Sequence, residues 1–202
     1  MSIDQLRESG TLELYVIGDL SESEIIAVES AIEAHPELKQ DIHEIELSLE
    51  QYALANAVPP KATLKPMVLA VVNYTSRLQA GEPQLDPPAL TPDSKIEDFS
   101  QWLHRSDLQE PSSYDSMTAH IIGASEEKTT LIVWLKEGAP AEVHTDEYET
   151  FLILEGTCDI TIGDEVHSLK PNDVLTIPLH ISHQVVVTSD TRCKVILERK
   201  AA

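Results

Sequence analysis

The apolar residues of this chain change their spacing partway along it. Up to about residue 80 they recur at three- and four-residue steps, and from about Met117 they alternate or fall into short unbroken runs. A helix returns a side chain to the same face every 3.6 residues and a strand every two. The first part therefore reads as helices and the second as strands, with no internal repeat at solenoid periods. Between them lies EPQLDPPALTPDSK, residues 82–95, with four prolines and no apolar period. Such a stretch reads as a linker.

In the helical part, a short helix holding Leu12, Tyr15 and Val16 stops at Gly18, and Ser21 with Glu24 forms a capping box for the next. That helix places Ile25, Val28 and Ile32 on one face and ends at His35, because Pro36 disfavours helical geometry in the residue before it. Leu38, Ile42, Ile45, Leu49 and Tyr52 then form an amphipathic stripe. Pro59-Pro60 breaks the chain, and a fourth segment runs from about 62 to 80 and stops at Gly81. After the proline-rich stretch, IEDFSQWLHR is expected to form a short helix with Phe99 and Trp102 packing inward. Strands are expected in MTAHIIG, TTLIVWLKE, ETFLILE, CDITIG, VHSL, VLTIP, HQVVVT and CKVILERK, parted by turn signals such as Gly138-Ala139-Pro140 and Gly163-Asp164. The expected fold class is α+β in two domains. An all-α domain spans 1–81, a linker with a short helix spans 82–114, and an all-β sandwich or barrel spans 115–202.

Composition narrows the partners. A net charge of −21 repels nucleic acid and anionic membranes and favours basic partners. No apolar run approaches the roughly 20 residues of a membrane span, and MSIDQLRESG lacks a basic-then-apolar signal pattern. With only Cys158 and Cys193 there is no disulfide framework or zinc knuckle. A cytoplasmic location is expected.

The stretch EVHTDEYETFLILEG, residues 142–156, sets Glu142, His144 and Glu149 ahead of an apolar run. Acids and an imidazole carried into a core are costly without partners, and a metal ion would accept all three. The spacing Glu149-x6-Gly156, with His144 four intervening residues before Glu149, and Pro178 followed by His183, resembles the cupin family over roughly residues 115–200. In that family's first motif two histidines precede the glutamate, so the resemblance puts His144 in the second position and Glu142 in the first. In the second motif Asn172 and His180 stand where the family has glycines, and Val187 stands where it has asparagine. The resemblance implies a double-stranded β-helix, or jelly roll, holding a divalent transition metal on Glu142, His144, Glu149 and His183. In an alternative register His144 is the first ligand and Asp146 the second. Residues 142 and 144 leave one face of a strand, and two imidazoles with two carboxylates suit Zn²⁺ first, with Fe²⁺, Mn²⁺ or Ni²⁺ also compatible. Tyr148 and His180 are the candidate pocket-lining residues, and no further acid–base residue stands at an identifiable spacing.

The stretch SGTLELYVIGDLSESEIIAVESAIEAHPELKQDIHEIE resembles the helical domain of ChrR-type anti-sigma factors, in which such a domain precedes a cupin. One class of that family binds zinc through His-x3-Cys-x2-Cys. Here His35 is followed by no cysteine, so the domain resembles the zinc-free, RskA-like class and no metal is assigned to it. The resemblance implies an extracytoplasmic-function sigma factor as partner, with the segment after Pro59-Pro60 as a clamp. Three functions are therefore carried forward. The first is an anti-sigma-like transcription regulator with a metal-binding cupin sensor. The second is a metal-dependent cupin enzyme, a dioxygenase or isomerase of a small molecule. The third is a metal-free cupin scaffold, with homodimerisation through the cupin a family-level expectation.

Overall fold

The structure, a computed structural model, describes residues 3–202. It divides into two compact units, one ending at Pro59 and the other beginning at Pro60.

Among the described residues, the first unit holds four helices, α1 (Ile3–Glu8), α2 (Thr11–Ile17), α3 (Glu22–Ala34) and α4 (Leu38–Ala55). Their limits follow the local chemistry. Gly18 takes a left-handed conformation (φ 78°), and the next amide, Asp19 N–H, donates to the Leu14 carbonyl, closing the end of α2. Ser21 N–H donates to the Glu24 carboxylate at 2.9 Å, and α3 ends with His35 as its C-cap, just before Pro36. Helix α1 was not foreseen, since six residues are too few to display a period. The core of this unit is Leu6, Leu12, Val28 and Leu38, with Ile42 and Ile45 partly buried against it. The α4 stripe is thus covered only in its first half. Leu49 is 38% exposed and Tyr52 71%.

The second unit is built on two antiparallel sheets. Its strands are β1 (Met117–Ala124), β2 (Lys128–Leu135), β3 (Gly138–Glu142), β4 (Glu147–Glu155), β5 (Cys158–Ile162), β6 (Glu165–Leu169), β7 (Val174–Ile177), β8 (His183–Val187) and β9 (Cys193–Ala201). One sheet has the order β1-β2-β9-β4-β7 and the other β3-β8-β5-β6. Between them lies a core that includes Leu131, Val133, Phe151, Ile153, Ile160, Val185, Val195 and Leu197. The expected strands are all present, and β3 is additional. Its Gly138-Ala139-Pro140 start reads as a turn, but β3 is an edge strand, where a proline without an N–H costs no ladder bond.

Strands β2, β4 and β9 read as unbroken apolar runs because both their faces are covered. Alternate residues Ile132, Trp134, Leu152, Leu154 and Ile196 face a second core, closed by Leu90, Phe99, Trp102 and Leu108. Phe99 and Trp102 pack inward as expected, but residues 82–95 are not the linker expected from their prolines. They are a strap packed on the five-stranded sheet. Pro87 lies so close to β1 that a Cβ on Gly123 would fall 2.2 Å from its ring, and Leu90 N–H donates to the buried Glu198 carboxylate at 3.0 Å. The chain turns into the sheet through a 3₁₀ turn at Ile96–Phe99 and the short helix α6 (Ser100–Leu103).

The segment expected to close the helical domain, α5 (Leu64–Gln79), also belongs to the second unit. Ala70 and Tyr74 are buried in the inter-sheet core, with Met67 and Leu78 packed against it. The division falls at Pro59/Pro60, and the boundary expected at Gly81 lies inside the second unit. Apolar period predicts the face of α5 but not what that face meets.

Candidate metal centre

Register brings the acidic and imidazole side chains together at one end of the sandwich. Glu142 on β3 pairs directly with His183 on β8, and Glu149 on β4 pairs directly with Arg199 on β9. The two pairs come from opposite sheets. His144 follows β3 by two residues, and its carbonyl accepts the His180 N–H at 2.8 Å. One ligand atom each from Glu142, His144, Glu149 and His183 lies within 4.8 Å of all the others. Among the described residues this is the one group of three or more such side chains close enough to share an ion.

The distances suit direct coordination. Glu149 Oε2 is 3.1 Å from His183 Nε2 and 3.5 Å from His144 Nε2, and Glu142 Oε1 is 3.9 and 4.0 Å from the same nitrogens. Ligands bonded at about 2.0–2.1 Å to a tetrahedral ion stand roughly 3.3 Å apart, so small rotations would complete such a shell. His144 Nε2 is buried without a hydrogen-bond partner among the described residues, an orphan that an ion would satisfy. The other ring nitrogen, Nδ1, lies 3.5 Å from Glu147 Oε1. A carboxylate there favours the Nδ1–H tautomer and leaves Nε2 as the ligand atom.

Charge gives a second test. Arg199 Nε donates to Glu149 Oε1 at 2.9 Å, and its other nitrogens lie 3.5 Å from Glu147 and 3.9 Å from Glu142. Three carboxylates, one guanidinium and two neutral imidazoles leave a formal deficit that one divalent cation would balance. Burial pushes the Glu149 carboxyl up, but the nearby His144 ring, the His183 hydrogen bond and the charge of Arg199 outweigh it, holding the group at about 2. The Glu149 carboxylate in turn raises His144 above its ordinary value against the opposing effect of burial.

The remaining sequence candidates fall outside the cluster. Asp146 is exposed and lines a surface cleft with Glu147 and Arg199, so the four-membered group contains Glu142 rather than Asp146. Tyr148 is 42% exposed on the strand between Glu147 and Glu149, and the His180 side chain is also exposed. His180 contributes its backbone instead. Asn172 and His180, at the two glycine positions of the second cupin motif, have φ values of 72° and 63°, left-handed conformations that glycine adopts freely. The turn geometry is kept although the glycines are not. Arg199 and Glu147 were missed. The Glu147 signal was its i,i+3 offset from His144, whereas Arg199 becomes visible only once β4 and β9 are paired.

Residues 130–197 match the family model described as "Cupin domain", and this segment is a cupin domain. Similar solved structures include the Cnp3 cupin domain of Schizosaccharomyces pombe, at 14% identity over 44% of this chain and 67% of that one, with a TM-score of 0.42. KdgF from Halomonas sp. is 16% identical over 45% of this chain and 84% of its own, with a TM-score of 0.40. A cupin protein from Bacteroides fragilis is 23% identical over 48% of this chain and 87% of its own, with a TM-score of 0.39. A search of curated proteins finds no match. Among the described residues, no helix is long and apolar enough to cross a membrane.

Proposed function

We propose that this protein is a transcription regulator of the anti-sigma type, in which the cupin domain carries a divalent metal on Glu142, His144, Glu149 and His183 and senses a signal. The observation that carries the regulatory half is the uncovered part of α4. Leu47, Leu49, Tyr52 and Leu54 are all exposed. Glu44, Glu46 and Glu50 stand among them, also exposed. An apolar row edged by acids suits a partner with apolar pockets in a basic surface, the kind of face a sigma factor presents. In the second unit, helix α5 separately carries Leu64, Val68, Leu69, Val71 and Val72, each at least half exposed.

On the sensor side, an ion held there would supply Lewis acidity or, if iron or manganese, redox chemistry. The protein's own groups hold it: Glu147 orients His144, and Arg199 keeps one oxygen of Glu149 occupied so that the other faces the imidazoles. The enzyme reading is weaker, since the space inside the sandwich beside the carboxylates amounts to about 20 Å³, room for about one water.

Copurification tests the regulatory reading. Tagged protein recovered from its own cells should enrich a sigma factor, and replacement of Tyr52 and Leu54 by aspartate should remove it without altering the fold. If the wild-type protein never enriches a sigma factor, the anti-sigma assignment is wrong.

A further inference from the structure

The chamber beside the two carboxylate ligands is walled by apolar side chains of both sheets, among them Phe151, Val185, Val195 and Leu197. Its closure comes from outside the sheets. Thr63 and Met67, at the start of α5, line it together with Glu142, Glu149 and Arg199. With Met67 in place, the free space is about 20 Å³, which admits about one water-sized molecule.

Helix α5 is held unevenly. Its later turns are anchored by buried Ala70 and Tyr74, by an Arg77 hydrogen bond to the Ile121 carbonyl, and by an ion pair of Arg77 with Glu82 at 3.5 Å. Its first turn has no side-chain cap at Thr63. The ion pair there, Lys65 with Asp115 at 2.9 Å, joins side chains 72% and 81% exposed. Pairs of that kind hold little. The end of the helix that closes the chamber is therefore the end most easily displaced.

We propose that Met67 is a specificity-determining stopper for the metal site: it limits ligands on the chamber side to about the size of water, and larger ligands enter only when the first turns of α5 swing away. This rests on the metal centre proposed above. A flexible thioether suits the task, because it fills an irregular gap without a fixed shape. The consequence reaches beyond the site. The same first turns carry exposed Leu64 and Val68, so a ligand that displaces Met67 also moves that surface.

The full chain loaded with Co²⁺ gives the test, because the visible spectrum of cobalt reports its coordination. Metal stoichiometry is measured first, and imidazole is then titrated in. Wild-type protein should keep its spectrum at millimolar imidazole. Met67→Ala should bind imidazole at least tenfold more tightly, and Met67→Leu, which keeps the bulk, should behave as wild type. Lys65→Ala, an exposed change that leaves the core intact, should strengthen imidazole binding about 1.5- to 5-fold, the equilibrium equivalent of one surface ion pair. If the wild-type chain takes up no cobalt, the metal centre and the stopper fall together. If it takes up one equivalent and imidazole shifts wild type and Met67→Ala alike, the stopper alone is wrong. Should Met67→Ala lose its circular dichroism, an unchanged imidazole response in Lys65→Ala overturns the proposal.

Discussion

Glu149→Gln keeps the shape of the side chain and removes its charge. In the metal-free protein the carboxylate accepts from His183 Nε2 at 3.1 Å and Arg199 Nε at 2.9 Å, and it is 1% exposed. Its pKa falls from the 4.5 of a free side chain to about 2. A depressed carboxylate pKa contributes stability that is complete above the unfolded value and is lost as pH falls through the folded value. The shift is worth about 3 kcal/mol at neutral pH and about 2 kcal/mol at pH 3.5. Both tryptophans, Trp102 and Trp134, lie in the second unit, so their fluorescence in urea follows that unit alone. With a urea slope of about 2 kcal/mol per molar, Glu149→Gln should lower the midpoint by roughly 1.5 M at pH 7 with chelator present. At pH 3.5 the deficit should shrink by about a third. An unchanged midpoint at pH 7, or a deficit that grows on acidification, would refute the assignment of Glu149 as the charged hub of the cluster.

Glu147→Ala removes the carboxylate facing His144 Nδ1 at 3.5 Å and should weaken metal binding about 10- to 100-fold by calorimetry, with little change in metal-free stability. Because His144 must be neutral to bind an ion and its pKa is raised by Glu149, metal affinity should fall as pH drops through the raised value, starting on the alkaline side of 6.5. A calorimetric series between pH 8 and 6 checks this. Trp102→Ala opens a cavity under the strap at a residue 1% exposed and should cost about 3–5 kcal/mol in urea unfolding followed through Trp134. An unchanged midpoint would refute the packing of this segment on the sheet.

The parts of the fold that were legible in the sequence are those set by local chemistry. The stop at Gly18, the cap at Ser21 and the end of α3 before Pro36 each depend on a few adjacent residues. The eight expected strands showed a two-residue period or an apolar run bounded by turn signals. Glu142, His144, Glu149 and His183 were legible through motif spacing, which records a tertiary arrangement that period alone does not. What escaped was non-local. Residues 82–95 have a linker's composition, yet Pro87 and Leu90 are buried and Leu90 N–H meets Glu198. An isolated apolar residue between prolines displays no period, so its docking on a sheet leaves no local trace. The same holds for α5, whose inner face packs on β-strands far along the chain, and for Arg199, whose role follows from pairing with Glu149 across β4 and β9. Strand β3 was hidden by Pro140, a residue that only an edge position accommodates.

Two histidines and two glutamates drawn from both sheets should hold one divalent ion. Elemental analysis of the full chain, after metal supplementation and removal of unbound ions, addresses that directly. About one equivalent of transition metal per chain is expected in the wild type, falling below about a tenth of an equivalent, an order of magnitude under full occupancy, in His144→Ala and His183→Ala. A wild-type chain that emerges without metal, or variants that retain it in full, would contradict the metal centre.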